Sequence, residues 1–347
     1  EKVSERNYNA EKVLIVAAAG LSISDTLPNN PYHNSDDFAF HYPRVAAYGY
    51  KTAYHAMTLS QNPTVPQGVK VTQMALHFLN MRFQFPPTEA YSWLKEIAAT
   101  KAPENVFCWT SNVDGCFERA GFPRERIYTT QGEMNKLQCR ECSAVWDCVE
   151  QLKVIKEASG PDHELKDMSL IPSCPECKAQ GKYLPNLRGG DWFIHKPYEQ
   201  NSLRLLQWLD DAVVSGANVC VLEIGVGPNT PIVTRIPACV FASAVGAAGG
   251  QVAYLRVNPD PPQADDGPDG IERFHHLVTG WRGFKPILDE FRKLQKLTPT
   301  QIDSKTESKS STSSELTYSP HYSKVGTAKH MQQYYHKILK SLWTPRD

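Results

Sequence analysis

Val13-Leu14-Ile15-Val16-Ala17-Ala18-Ala19-Gly20-Leu21-Ser22 is the stretch on which the fold turns. Its apolar run has no polar alternation, so it predicts a strand buried on both faces, as in a parallel sheet. It ends in small residues and Gly20. Such residues let the backbone N–H groups of a strand-to-helix turn approach a pyrophosphate. Downstream the pattern repeats: 106–110, 218–224 and 251–257 are further apolar runs, each delivering a polar loop at its C-terminal end. Helices are expected over 45–57, 71–83, 88–100, 202–214 and 283–294, with a short one near 114–120. The alternation predicts an α/β, Rossmann-like, doubly wound parallel sheet, which holds ligands at the carboxyl ends of its strands.

Composition narrows the class. At 347 residues and 41% hydrophobic content, the chain suits one large domain with an inserted module. Basic and acidic residues balance at 37 each, so there is no electrostatic footprint for a nucleic-acid partner. No apolar run nears the roughly 20 residues that span a bilayer, so no membrane partner is expected. The nine cysteines are odd in number, and Cys108, Cys220 and Cys239 lie in apolar runs. That usage suits a reducing, intracellular setting: the cytoplasm, or mitochondria if a transit peptide was trimmed ahead of Glu1.

Residues 1–300 are expected to form the main α/β domain, with a small metal-supported module inserted at about 137–185. Cys139-x-x-Cys142 and Cys174-x-x-Cys177 supply four thiolates, the donor set of a closed, structural zinc site. Cys148 falls in the long loop between the two knuckles and reads as a spare thiol. Residues 301–323 are rich in Ser, Thr and Lys and read as a flexible linker. Over 324–347, Met331, Tyr334, Tyr335, Ile338, Leu339 and Leu342 recur at helical spacing, predicting an amphipathic C-terminal helix.

A second small-residue loop, Gly225-Val226-Gly227-Pro228-Asn229-Thr230-Pro231, follows one buried run, and Asn258 closes the next. Together with the Gly20 turn these would wrap a dinucleotide. Each could instead be an ordinary strand-to-helix turn, but three of them in one alternating chain favour a ligand.

The order Ala18-Ala19-Gly20-Leu21-Ser22, Thr110-Ser111-Asn112-Val113-Asp114, Gln131-Gly132, the two cysteine pairs, the Gly225 loop and Asn258 resembles the sirtuins over roughly residues 10–295. The resemblance implies a Rossmann-like NAD-consuming enzyme with a small zinc domain; most such enzymes are protein lysine deacylases. Three departures stand out. Ala18 replaces the first motif glycine, the Pro-Asp-Phe-Arg segment is missing from 35–43, and Gln131 stands where the family has its catalytic histidine. The subgroup this chain is most similar to is the macrodomain-linked class M, in which Gln-Gly-Glu replaces His-Gly and protein ADP-ribosyl transfer replaces deacylation.

By that resemblance Asn112, Asp114 and Gln131 are the reacting-site residues. Ala18, Ala19, Gly20, Ser22, Ser111, Arg188, Gly225, Gly227, Asn229, Thr230 and Asn258 complete the shell around NAD. Asp114 could equally be a helix cap and Asn112 a turn residue. A carboxamide can position a ribose hydroxyl but cannot take its proton. Loss of a general base costs about 10²–10⁴-fold, so deacylation is disfavoured while nicotinamide departure survives. The expectation is mono-ADP-ribosyl transfer to a protein, of lipoyl- or acyl-carrier type by the resemblance. The alternatives are a weak deacylase or NAD glycohydrolase, and a non-catalytic NAD or ADP-ribose sensor. Arg188 is a candidate contact for a phosphate or an acidic substrate. His195 could serve as a substitute base, though a histidine beside aromatics is more often structural. Glu133 reads as a site carboxylate or a helix-start residue.

Overall fold

The computed structural model describes residues 10–23, 32, 34–227, 231–261 and 267–295. Asn229, Thr230, the expected linker 301–323 and the expected helix 324–347 lie outside the described residues. The strands are β1 Lys12–Ala17, β2 Val106–Thr110, β3 Ile127–Thr129, β4 Gly132–Cys139, β5 Val145–Asp147, β6 Tyr183–Leu187, β7 Val219–Ile224, β8 Val252–Asn258 and β9 Phe274–Val278. Among the helices, α1 is Ala19–Ser22, α2 Gln67–Leu79, α3 Glu89–Ala98, α4 Val149–Ser159, α5 Glu199–Ser215, α6 Arg235–Ala247 and α7 Lys285–Gln295.

Six strands form one parallel sheet in the order β3-β2-β1-β7-β8-β9. β1 is central because every residue of Val13–Ala17 is buried. Its alternate side chains feed two cores. Val13, Ile15 and Ala17 join Leu94, Ile97, Leu288 and Phe291 of α3 and α7 on one face. Leu14 and Val16 join Leu205, Trp208, Leu209 and Phe241 of α5 and α6 on the other. This is the doubly wound sheet that the apolar runs predict.

A second sheet, β5-β4-β6, is antiparallel and carries the cysteine knuckles. The segment 137–185 is less loop-like than expected. It includes the 11-residue helix α4, whose Leu152 and Ile155 pack with Val71, Ala75 and Phe78 of α2. Only those few apolar positions mark it in the sequence, because a single buried face needs no more.

Two expected helices differ in the structure. The span 45–57 is broken into the short turns Pro43–Ala46 and Ala53–Ala56. Gly49 ends the first, and the Thr52 hydroxyl accepts from the His55 N–H (3.1 Å) to start the second. The span 71–83 begins earlier, at Gln67, and changes to a π-helical turn over Asn80–Gln84. No helix among the described residues is long and apolar enough to cross a membrane.

The strand order reverses between β1 and β7, which both leave the sheet in glycine turns. The Gly20 N–H donates to the Gly225 carbonyl (3.0 Å). A Cβ built on Gly225 would lie 2.2 Å from the Leu21 nitrogen, and Gly225 has φ of +68°. Gly225→Ala therefore combines a left-handed backbone, costing about 1–2 kcal/mol, with a backbone overlap. Expected destabilisation exceeds about 2 kcal/mol in urea unfolding; a midpoint equal to wild type would show that the two turns do not touch.

Candidate functional site

In the sheet order, the turns after β3, β2, β1, β7 and β8 stand side by side, presenting Gln131, Asn112, Gly20, Gly225 and Asn258 in that sequence. At roughly 4.8 Å per strand the row is about 19 Å long. It lies along the carboxyl edge and crosses the switch point between β1 and β7, where doubly wound sheets hold ligands.

On the β1–β2 side, the polar groups interlock. The Asn112 side-chain amide donates to the Ala18 carbonyl (3.0 Å) and reaches Ser22 Oγ and Tyr91 Oη, both at 3.2 Å. Ser22 Oγ donates to Asp114 Oδ2 (2.6 Å) and lies 2.7 Å from Tyr91 Oη. Asp114 Oδ1 accepts from the Cys116 N–H (2.8 Å). Asp114 stands one position ahead of Gly115, the N-cap of the short helix Cys116–Arg119, so it braces the helix start without being its cap. Asn112, Asp114 and Ser111 are buried. Tyr91 is wholly buried, and that burial together with Asp114 raises its phenol well above the ordinary value, so it stays neutral. Tyr91 escaped the sequence reading, since an aromatic on the inward face of α3 looks like core.

On the β7–β8 side, the Val226 carbonyl accepts from both the Arg235 guanidinium and the Asn258 amide. Arg235 in turn pairs with Glu223 (3.1 Å), and Arg256 pairs with the same carboxylate at 2.7 Å. The Tyr254 hydroxyl donates to it as well. A fully buried carboxylate needs such partners. The signal was available: Glu223 interrupts an otherwise apolar run, and Arg256 is opposite it in register on β8. Gly227 is half-buried, facing Asp260.

Gln131 lies in the turn between β3 and β4, half-buried, with its carbonyl accepting from the Arg188 N–H (3.0 Å). Arg188 Nε donates to the Thr130 carbonyl (2.9 Å), and its guanidinium lies 4.4 Å from the Phe193 ring centre. Arg188 is therefore beside Gln131 rather than beside the Gly20 turn. His195 is held by the Tyr128 hydroxyl (2.9 Å). Burial, aided by Arg188, depresses the His195 pKa to about 4, which makes it a weak base. Glu133 is neither a helix start nor a free carboxylate. It sits in β4, bonded to Arg124 and Lys136. Burial opposes its charge, but Lys136 and Arg124 outweigh burial and hold it below the usual carboxylate range.

The four knuckle cysteines converge, with every sulfur within 4.8 Å of the others. Cys139 and Cys177 sulfurs are 3.5 Å apart, and Cys142 and Cys174 sulfurs 3.6 Å. A tetrahedron with Zn–S bonds of about 2.3 Å has edges of about 3.8 Å, so the cluster fits zinc. The two knuckles repeat one geometry: the Cys139 and Cys174 N–H groups donate to the Ala144 and Ala179 carbonyls, at 2.8 and 3.1 Å. Cys148 is apart from them, buried in the α2–α4 core, its thiol pushed up to about 12 by burial.

Residues 45–200 match the model of the Sir2 family. The match supports the sirtuin family. Among solved structures, one complex of a mutant Sir2 homologue with ADP ribose is similar with TM-score 0.51 at 15% identity, covering 86% of this chain and 98% of that one. A second mutant Sir2 homologue in complex with ADP ribose gives TM-score 0.50 at 16% identity, with the same coverage of each chain. At these identities the likeness is one of fold. A curated protein from Fusarium oxysporum f. sp. cubense, named a probable bifunctional ADP-ribose hydrolase/ADP-ribosyltransferase, is 29% identical over 263 residues, 73% of this chain. This chain spans 41% of that relative's length.

Purified protein is expected to carry one zinc ion per chain by elemental analysis. Stripping it with a strong chelator should lower the melting temperature by several degrees, because the site closes the small sheet. A metal-free chain with an unchanged melting temperature would exclude a structural zinc.

Proposed function

We propose that the chain is an NAD-dependent protein mono-ADP-ribosyltransferase. The observation that carries the proposal is Gln131 at the strand end next to an intact Asn112–Ser22–Asp114–Tyr91 network. Cleavage breaks the bond between the ribose anomeric carbon and the nicotinamide nitrogen, and the electron pair leaves with nicotinamide. The positive charge that develops on the ribose needs fixed dipoles and a carboxylate nearby, preorganised and shielded from water. Asn112 and Asp114, both buried and cross-bonded through Ser22, suit that task.

The second half of the reaction divides the possibilities. Deacylation calls for removal of a proton from a ribose hydroxyl, and Gln131 has no basic form to do it. His195, with its pKa of about 4 and its bond to Tyr128, does not replace the missing base. A nucleophilic side chain of an acceptor protein can instead attack the anomeric carbon and release its own proton to solvent. In this reading Arg188, whose N–H bonds the Gln131 carbonyl, meets that acceptor. The Fusarium relative bears an ADP-ribosyltransferase and an ADP-ribose hydrolase in one name, which supports an ADP-ribosyl activity. An acceptor of lipoyl- or acyl-carrier type follows from the resemblance to class M, in which Arg188 and the Gln-Gly-Glu stretch take part.

Nicotinamide release with labelled NAD, followed by labelling of acceptor proteins, is the direct test. Asn112→Ala is expected to reduce nicotinamide release by about 10²-fold or more, the scale of losing one oriented dipole. Gln131→His is expected to raise turnover of acyl-lysine peptides at least about tenfold while NAD cleavage persists. Acyl-lysine turnover by the wild type without protein labelling would mark a deacylase, and ligand binding without nicotinamide release a sensor.

A further inference from the structure

We infer that Arg82 is a positioning residue for the Asp114 turn, and that an alternating chain of charges running from it fixes Asp114 relative to Gln131. The inference rests on the reading of Asn112, Asp114 and Gln131 as the NAD site. It begins with an irregularity. After Leu79 the helix α2 widens into a π-helical turn over Asn80–Gln84, closed by the Phe85 N–H donating to the Asn80 carbonyl (2.8 Å). Single π turns of this kind concentrate at functional sites, where they re-aim a side chain.

Here the re-aimed side chain is Arg82, whose guanidinium lies against Gly115, the residue after Asp114. A Cβ at Gly115 would be 1.9 Å from Arg82 Nη1 and 2.3 Å from Cζ. Gly115 also has φ of +68°, so position 115 favours glycine on two separate grounds. Arg82 Nη2 donates to Glu118 Oε2 (2.7 Å), while Nη1 is buried over the turn with no hydrogen-bond partner among the described residues. The side chain as a whole is 11% exposed. A second arginine reinforces the contact: Arg119 Nη1 donates to the Phe85 carbonyl (2.8 Å) and Nη2 to Cys116 Sγ (3.0 Å). The π turn is thereby bound to both ends of the short helix Cys116–Arg119 that follows Asp114.

From Glu118 the charges continue toward the other half of the site. Glu118 Oε1 accepts from Arg124 Nε (3.0 Å), Arg124 bonds Glu133, and Lys136 bonds the second oxygen of Glu133. Glu133 is two residues from Gln131, and Arg82 is against the neighbour of Asp114. The sequence Arg82–Glu118–Arg124–Glu133–Lys136 thus spans the gap between the groups that would grip the ribose from two strand ends. Each link alternates in sign. The planar guanidinium at position 82 is specific to the task, since a lysine keeps the charge but offers no flat face for Gly115.

Amide hydrogen exchange and steady-state nicotinamide release on wild type, Arg82→Met and Arg82→Lys test the inference together. In Arg82→Met, exchange over 112–117 is expected to rise about tenfold or more, including the Cys116 N–H that bonds Asp114, while α5 is unchanged. The kcat for nicotinamide release should fall about tenfold, with KM for NAD within about threefold. Arg82→Lys should recover the melting temperature but not kcat. Unchanged exchange over 112–117 in Arg82→Met overturns the inference whatever the activity. So does a kcat that returns fully in Arg82→Lys, because the ion pair alone would then account for Arg82. A wild type that releases no nicotinamide sinks the proposed function instead, and the exchange measurement still decides the role of Arg82.

Discussion

Two glycine turns touching backbone to backbone set the geometry of everything above the sheet. Gly20 and Gly225 leave the two central strands at the point where strand order reverses, and the Gly20 N–H bonds directly to the Gly225 carbonyl. Side chains there would force β1 and β7 apart or lift the turns off the sheet. With the turns in contact, Ala18 presents its carbonyl to Asn112 and Ser22 comes within reach of Asp114. The Thr88 hydroxyl completes the anchoring by donating to the Leu21 carbonyl (2.8 Å) from the start of α3. Because the glycine contact is a short-range steric constraint, it either holds or fails, and the polar network depends on its holding.

The same turn is fixed from beneath by charge. Glu223 sits wholly inside the sheet, where an unpaired carboxylate would be very costly. Arg235 and Arg256 neutralise it from the helix that follows and from the next strand, and Tyr254 fills a remaining acceptor site. Arg235 also directs a nitrogen at the Val226 carbonyl, to which Asn258 donates as well. Two guanidiniums on one carboxylate hold the Gly225 loop from below, and Asp260 faces the same loop at Gly227. The buried cluster therefore connects sheet packing to the ligand edge through a single carbonyl.

The sheet was readable because parallel strands are continuous apolar runs, and 106–110 and 218–224 came through within a residue of the observed ends. The cysteine knuckles were readable because metal-ligand spacing is local. The helix α4 was harder, since of its 11 residues it buries only Leu152, Ile155 and Ser159. Tyr91 and Arg82 were not legible as site-forming groups, and Glu223 showed only as a carboxylate interrupting an apolar run, without its partners. Each acts across 12 or more residues of chain, through contacts that no local pattern records. Asp114 shows the limit most clearly, because its sequence suggested a cap or a ribose contact, and the structure gives its two oxygens separate bonds.

Gln131 acquires its meaning from how little its backbone depends on its side chain. Its carbonyl is bonded by the Arg188 N–H, the next residue pairs with Leu187 between β4 and β6, and the Thr130 N–H bonds the Thr110 carbonyl of β2 (2.9 Å). Neighbours on both sides thus place position 131, whatever side chain it carries. A glutamine and an imidazole there would occupy the same point at the end of the sheet and differ in proton chemistry rather than in fold. In the proposed reaction that separation would let one residue redirect the outcome: the groups proposed to break the nicotinamide bond lie on the turns after β1 and β2, and Gln131 lies on the β3 turn. A change at the second leaves the first in place, so an altered outcome does not require an altered scaffold.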